Sequence, residues 1–251
     1  MSRFWYTRTT MKELEPDFLC FEHFSPEHFL YLGVTILIMV AAVYLFKKAP
    51  AEKHQKLIQL TAILLILDEV AKQVGSFATG QWEWDFLPLH LCSINIFVCF
   101  YNAFKKNSET LSSDLLYAVC IPGASVALLM PTWNNLPIWN YMGLHSQTVH
   151  MLLILYPVFL IAAGFRPNIR NLPKVLLIVI AEAVPIYFLN KVLGTNFFFI
   201  NGTDGNPLLE VLVSILGEKI YFIGFIPIVA VIWVLMFLPW AIIEKKEKAI
   251  K

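Results

Sequence analysis

The chain has 251 residues, 58% of them hydrophobic and 15% charged, with a mean hydropathy of +0.65 and a net charge of +1. A soluble domain is about half apolar and a quarter charged, so lipid is the expected solvent, and the near-zero net charge gives no reason to expect a nucleic-acid partner. Of the four cysteines, Cys92, Cys99 and Cys120 fall inside apolar stretches, which argues against a disulfide framework.

Residues 1–27 mix Arg3, Arg8, Lys12, Glu13, Glu15, Asp17 and Glu22 without an apolar run, and read as an extracytoplasmic segment rather than a signal peptide. Ser25-Pro26-Glu27 has the form of a helix cap and first turn. A membrane helix needs about 17–25 mostly apolar residues. That rule predicts spans near 28–46, 57–77, 86–104, 112–130, 147–165, 174–190 and 220–243. The fold expected over 28–243 is therefore an all-α polytopic membrane bundle of about seven transmembrane helices. In the sixth loop, Asn206-Pro207 predicts the start of a short helix, and residues near 206–217 read as an interfacial segment.

Orientation follows from Lys and Arg in the short loops. Loops one, three and five and the tail 244–251 hold thirteen of the nineteen basic residues, whereas loops two and four hold none. The N-terminus is expected outside and the C-terminus inside, in a multi-pass protein of the cell membrane. Trp82, Trp84, Trp133 and Trp139 flank the outer openings as an aromatic belt. Pro122, Pro157 and Pro185 are expected to disturb backbone pairing within their helices.

Intramembrane charge is the strongest signal. A charged side chain at a helix centre costs about 2.5–3.5 kcal/mol on insertion scales. The second span nevertheless carries Asp68, Glu69 and Lys72, and the sixth carries Glu182. Lys72 stands i+4 from Asp68 and i+3 from Glu69, so it neutralises one of them and leaves the other in need of a proton, a partner or water. Such residues mark a polar cavity by default, with a buried packing network as the plain alternative. With His90, Cys92 and Asn95 early in the third span and His145 and His150 in the fifth, the polar groups fall in the outer half or the centre. They predict one pocket that opens outward.

Within that pocket Cys92 is the candidate nucleophile. Its early place in the third helix suits a lowered thiol pKa, against the alternative of an inert packing cysteine. A histidine must act as base; His90, two residues away, points about 200° from Cys92 on a regular helix, which favours His145 or His150. Asn95 or Ser93 is the expected oxyanion donor. Zinc held by the histidines with Asp68, Glu69 or Glu182 is a second reading, weakened by the i,i+5 spacing of His145 and His150. No cofactor or metal is assigned.

At Leu87-Pro88-Leu89-His90-Leu91-Cys92 the chain resembles the YwaF family of bacterial integral membrane proteins. The stretches Gly194-Thr195-Asn196-Phe197-Phe198-Phe199, Gly205-Asn206-Pro207 and Leu216-Gly217-Glu218-Lys219-Ile220-Tyr221 are similar to that family's Gly-x-Asn-Tyr-Met, Lys-Pro and Leu-Gly-Pro-Trp-Pro-Trp-Tyr segments. Phe197, Asn206 and Glu218-Lys219 depart from the usual residues. The family is distantly similar to a eukaryotic membrane protein proposed to be a cysteine-dependent phospholipid acyltransferase. The resemblance implies an acyl-thioester on Cys92, with His90, His145 or His150 as base. Asp68, Glu69, Lys72, Asn95, Glu182 and Asn196 complete the expected substrate-binding set. The leading expectation is a phospholipid acyltransferase or transacylase with a phospholipid or other acyl lipid as partner. The alternatives are a transporter or binding protein for a small polar solute and a zinc-dependent lipid hydrolase.

Overall fold

A computed structural model describes residues 23–107, 109–132 and 141–250 of the chain. Among these residues there are helices and turns and no strand. The helices are α1 (Pro26–Lys48), α2 (Ala51–Ala78), α3 (Leu91–Phe104), α4 (Leu111–Leu129), α5 (Tyr141–Ala162), α6 (Leu172–Leu193), α7 (Pro207–Leu216) and α8 (Phe225–Ile250). Trp133, Trp139 and residues 1–22 of the expected N-terminal segment lie outside the described residues.

Six of these segments are long and apolar enough to cross a membrane by length and composition: 26–48, 84–104, 111–129, 141–162, 169–193 and 221–247. The other predicted span, α2, is 28 residues long and packs inside the same bundle against α3 and α5. Asp68, Glu69 and Lys72 lower its apolar content; Lys72 and Glu69 pair within the helix, and Asp68 meets His145 of α5.

α4 is the central post. It packs on α3 and α5 to one side and on α6 and α8 to the other. Leu116, Cys120 and Ala124 join a cluster with Leu65 of α2, Ile96 and Cys99 of α3, and Leu153 and Tyr156 of α5. Leu115, Ala118 and Val119 join Val175 of α6 and Trp233 and Phe237 of α8. Two indole donors tie α8 to the post: Trp233 Nε1 donates to the Ala118 carbonyl (2.9 Å) and Trp240 Nε1 to the Tyr117 hydroxyl (3.1 Å). A buried indole N–H in lipid must find such an acceptor. α1 and α6 turn large apolar side chains outward, Leu37 at 68% and Val192 at 80% exposure, as helices facing acyl chains do.

Local sequence sets most helix ends. Ser25 accepts a hydrogen bond from the His28 N–H with Pro26 in the first turn, as its capping pattern predicts. Asn206 caps α7 by accepting from Leu208 and Leu209 N–H (3.0 and 3.3 Å). Pro122, Pro157 and Pro185 sit inside helices that remain continuous, as does Pro239 of α8. One boundary differs from expectation. The chain from 84 makes a short 3-10 turn (Trp84–Phe86) and only becomes helical at Leu91, so the third helix is 14 residues, not the nineteen of 86–104. Pro88 therefore precedes the helix rather than opening it, and His90 becomes its N-cap residue.

Candidate functional site

The late start of α3 decides the surroundings of Cys92. The first helical hydrogen bond runs from Ile94 N–H to the His90 carbonyl (2.9 Å), and no side chain caps the end. The N–H groups of Leu91, Cys92 and Ser93 thus precede the hydrogen-bonded ladder, at the positive end of the helix dipole. Cys92, a free thiol of intermediate burial, is the second residue of α3 and packs against the α2–α3–α5 cluster. Among the described residues it has no hydrogen bond to a histidine.

The three candidate histidines take different partners. His90 faces the sixth loop, its ring edge-on to Phe197 (5.1 Å) and tilted against Phe199 (5.7 Å). His150 Nδ1 lies 2.6 Å from the carbonyl oxygen of Ser146, one turn earlier in α5. A carbonyl only accepts, so Nδ1 carries the proton and Nε2 is the basic nitrogen. His145 Nδ1 lies 2.7 Å from Oδ2 of Asp68 on α2, both largely buried. The two atoms are close but not aligned as a hydrogen bond, and each is without another partner among the described residues.

Lys72 chooses Glu69. Its Nζ lies 2.7 Å from Glu69 Oε1, with both side chains buried, and the i,i+3 spacing in α2 makes this a local pairing. Asp68, the carboxylate left over, takes its partner from α5. Gln73, absent from the sequence-derived set, is the hub beside them. It donates to Glu69 Oε1 (2.9 Å) and to the Phe86 carbonyl, and accepts from Trp82 Nε1 (3.0 Å). Its i,i+4 relation to Glu69 was the available signal. Trp82 also stacks on Phe77 (4.9 Å), so one belt tryptophan is wired to the intramembrane carboxylates.

Asn95 is buried and spends its amide N–H on the Leu91 carbonyl (2.7 Å). That hydrogen bond commits one of its two amide N–H groups. Its Oδ1 has no partner, and neither has Oε2 of Glu69. Two expected binding residues lie apart. Glu182 on α6 is half-buried and without an ion pair among the described residues. Asn196 is engaged in shaping the sixth loop: its backbone N–H donates to Asp85 Oδ1 (2.9 Å), its side chain donates to Gly202 O and Asp204, and it accepts from Asn201 N–H. No group of three or more His, Cys, Asp or Glu among the described residues is arranged to hold a metal ion, so the zinc reading gains no support.

An all-helical bundle with long lipid-facing helices and a charged interior defines a multi-pass membrane protein. A family model matches residues 23–237, and the chain belongs to the TMEM164 family. No curated protein and no solved structure matches the chain. The family shown is thus TMEM164, and the comparisons do not name the YwaF family that the motifs around Cys92 and the sixth loop resemble.

Proposed function

We propose that the protein is a membrane-embedded acyltransferase or transacylase that carries an acyl group from a phospholipid on Cys92, in a pocket opening to the outer face. The observation that carries this reading is the placement of the thiol at an uncapped helix N-terminus inside a lipid-facing bundle. Cys92 lies beside the N–H groups that precede the first bond of α3. An ester oxygen that becomes anionic there meets preorganised donors where water is scarce.

In the first step the Cys92 thiol gives its proton to Nε2 of a histidine on α5, and Sγ attacks the ester carbonyl. The carbon–oxygen bond breaks, the leaving alcohol oxygen takes the proton, and a lysophospholipid departs. His150 suits the base because its Nδ1 is already held by the Ser146 carbonyl. His90, committed to the phenylalanine rings of the sixth loop, is better read as a wall of the pocket.

The test is transfer itself. Purified protein in mixed micelles, given a phospholipid with a deuterated acyl chain and an unlabelled alcohol acceptor, is expected to move the labelled chain. Cys92→Ala is expected to lower the rate at least about a hundredfold. His150→Gln, which cannot shuttle the proton, is expected to lose about 10²–10⁴-fold. Unchanged transfer by the Cys92→Ala protein ends the thiol reading, and no transfer by the wild type, as a solute transporter would show, ends the enzyme reading.

A further inference from the structure

The same interface leaves more acceptors than it satisfies. Glu69 Oε2 and Asn95 Oδ1 are both shut from solvent and without a hydrogen-bond partner among the described residues, and Glu69 and Asn95 are 4% and 2% exposed. An unmet buried acceptor costs about 1–3 kcal/mol, more where charged, so groups of this kind are normally met by water or a ligand. Both are oxygens and only accept: one belongs to a carboxylate, the other to the amide whose nitrogen donates to the Leu91 carbonyl. What fills the site must donate more than one hydrogen bond.

Charge narrows the class further. Glu69 is balanced by Lys72 and Asp68 faces His145, so no uncompensated pair of carboxylates remains to draw a cation. An ammonium brought to Glu69 would also meet the Lys72 ammonium across it. The described His, Cys, Asp and Glu do not form a metal cage. An uncharged molecule with two hydroxyl donors fits these demands.

The thiol shares a helix with Asn95 and an apolar cluster with the neighbours of Glu69 and His145. Cys92 and Asn95 are i,i+3 on α3 and so share a face. Cys92 packs in one cluster with Leu65, one turn before Glu69, with Ile96, next to Asn95, and with Val149, one turn after His145.

We infer that this layer is the acyl-acceptor subsite, and that it takes a vicinal diol of the glycerol type. On binding, one hydroxyl donates to Glu69 Oε2 and the other to Asn95 Oδ1; for the chemical step the second turns its proton to His145. Asp68 is the positioning residue that holds His145 with Nε2 free. The chemical step rests on the thioester reading above; the binding does not. In that step the second hydroxyl gives its proton to His145 Nε2 and its oxygen attacks the thioester carbonyl on Cys92. The carbon–sulfur bond breaks, and the leaving thiolate recovers the proton from His145.

The diol has two sources, a monoacylglycerol or the glycerol headgroup of phosphatidylglycerol. Binding is measured on the Cys92→Ala protein in micelles with three probes: a monoacylglycerol, the same acyl chain on propane-1,2-diol (one free hydroxyl), and phosphatidylglycerol. The monoacylglycerol is expected to bind roughly tenfold or more tightly than the propanediol ester, the cost of leaving one buried acceptor unmet. Phosphatidylglycerol binding as well as monoacylglycerol identifies the headgroup as the source; weaker binding identifies the neutral lipid.

Asn95→Leu should erase the preference while holding or raising the thermal midpoint, because it removes a buried unmet oxygen; a packing role for Asn95 would lower the midpoint. Equal binding of the diol and the mono-ol means that water fills the site and overturns the inference, whatever Cys92 does. A diol preference in a protein whose Cys92 never takes an acyl group ends the thiol chemistry and leaves the diol site standing.

Discussion

At the scale of single residues, the sequence foretold the problem better than its solution. Asp68, Glu69 and Lys72 stand out because lipid penalises each of them, and their spacing in α2 poses one cation against two carboxylates. Which carboxylate keeps Lys72 depends on side-chain direction, and the partner of the other depends on α5, 77 positions away along the chain. Breaking a buried pair by removing one member leaves a bare charge and costs about 3–5 kcal/mol, whereas replacing both by apolar groups is often neutral. Lys72→Met is therefore expected to lower the thermal unfolding midpoint in detergent by many degrees, and Lys72→Met with Glu69→Leu to recover most of the loss. If the double variant is as unstable as the single one, the pair is not what burial of Glu69 depends on. Gln73 escaped notice because a neutral amide carries no formal charge, yet it links Glu69, Phe86 and Trp82.

At the scale of elements, caps were legible and the sixth loop was not. Ser25-Pro26 and Asn206-Pro207 announce α1 and α7 because capping is a local affair of three or four residues. Leu87-Pro88-Leu89 looks apolar enough to continue a helix, but the extended backbone at Leu87 and His90 delays α3 until Leu91. The loop from Gly194 to Gly205 is shaped by distant contacts, among them Asp85 on the Asn196 N–H and the Tyr221 hydroxyl on the Phe199 and Gly202 carbonyls. Phe198 and Phe199 adopt left-handed backbone (φ 61° and 53°), a conformation costing about 1–3 kcal/mol at a non-glycine residue, so the surroundings must impose it.

The turn beneath α7 has its own requirement. A Cβ on Gly224 would stand 2.7 Å from Leu212 Cδ2 and 3.0 Å from Leu216 Cδ1, both on α7. Those are tips of flexible side chains, so Gly224→Ala is expected to be mild. Gly224→Val adds two methyl groups to the same gap and is expected to cost about 1–3 kcal/mol. The readout is the thermal midpoint together with protease cleavage in the sixth loop. Equal behaviour of the two variants would mean that α7 is not packed on this turn.

At the scale of the molecule, composition alone announced a lipid-embedded helical bundle, because backbone in hydrocarbon has few other ways to satisfy its polar groups. The arrangement around α4 was not legible: apolar surface against lipid and apolar surface against a neighbouring helix read alike in a sequence. Cys92 illustrates the limit. Its residue type and early place in α3 suggest chemistry, but only packing brings α2 and α5 beside it, and the TMEM164 match supplies family without activity. The account therefore stands on whether that thiol carries an acyl group. The most direct measurement is the intact mass of the full-length protein after incubation with phospholipid, wild type beside Cys92→Ala. A mass gain of one fatty-acyl group on the wild type, discharged by an alcohol acceptor and missing from Cys92→Ala, is the predicted result. An unmodified wild-type protein under conditions where acyl transfer proceeds, or the same adduct on both proteins, would contradict it.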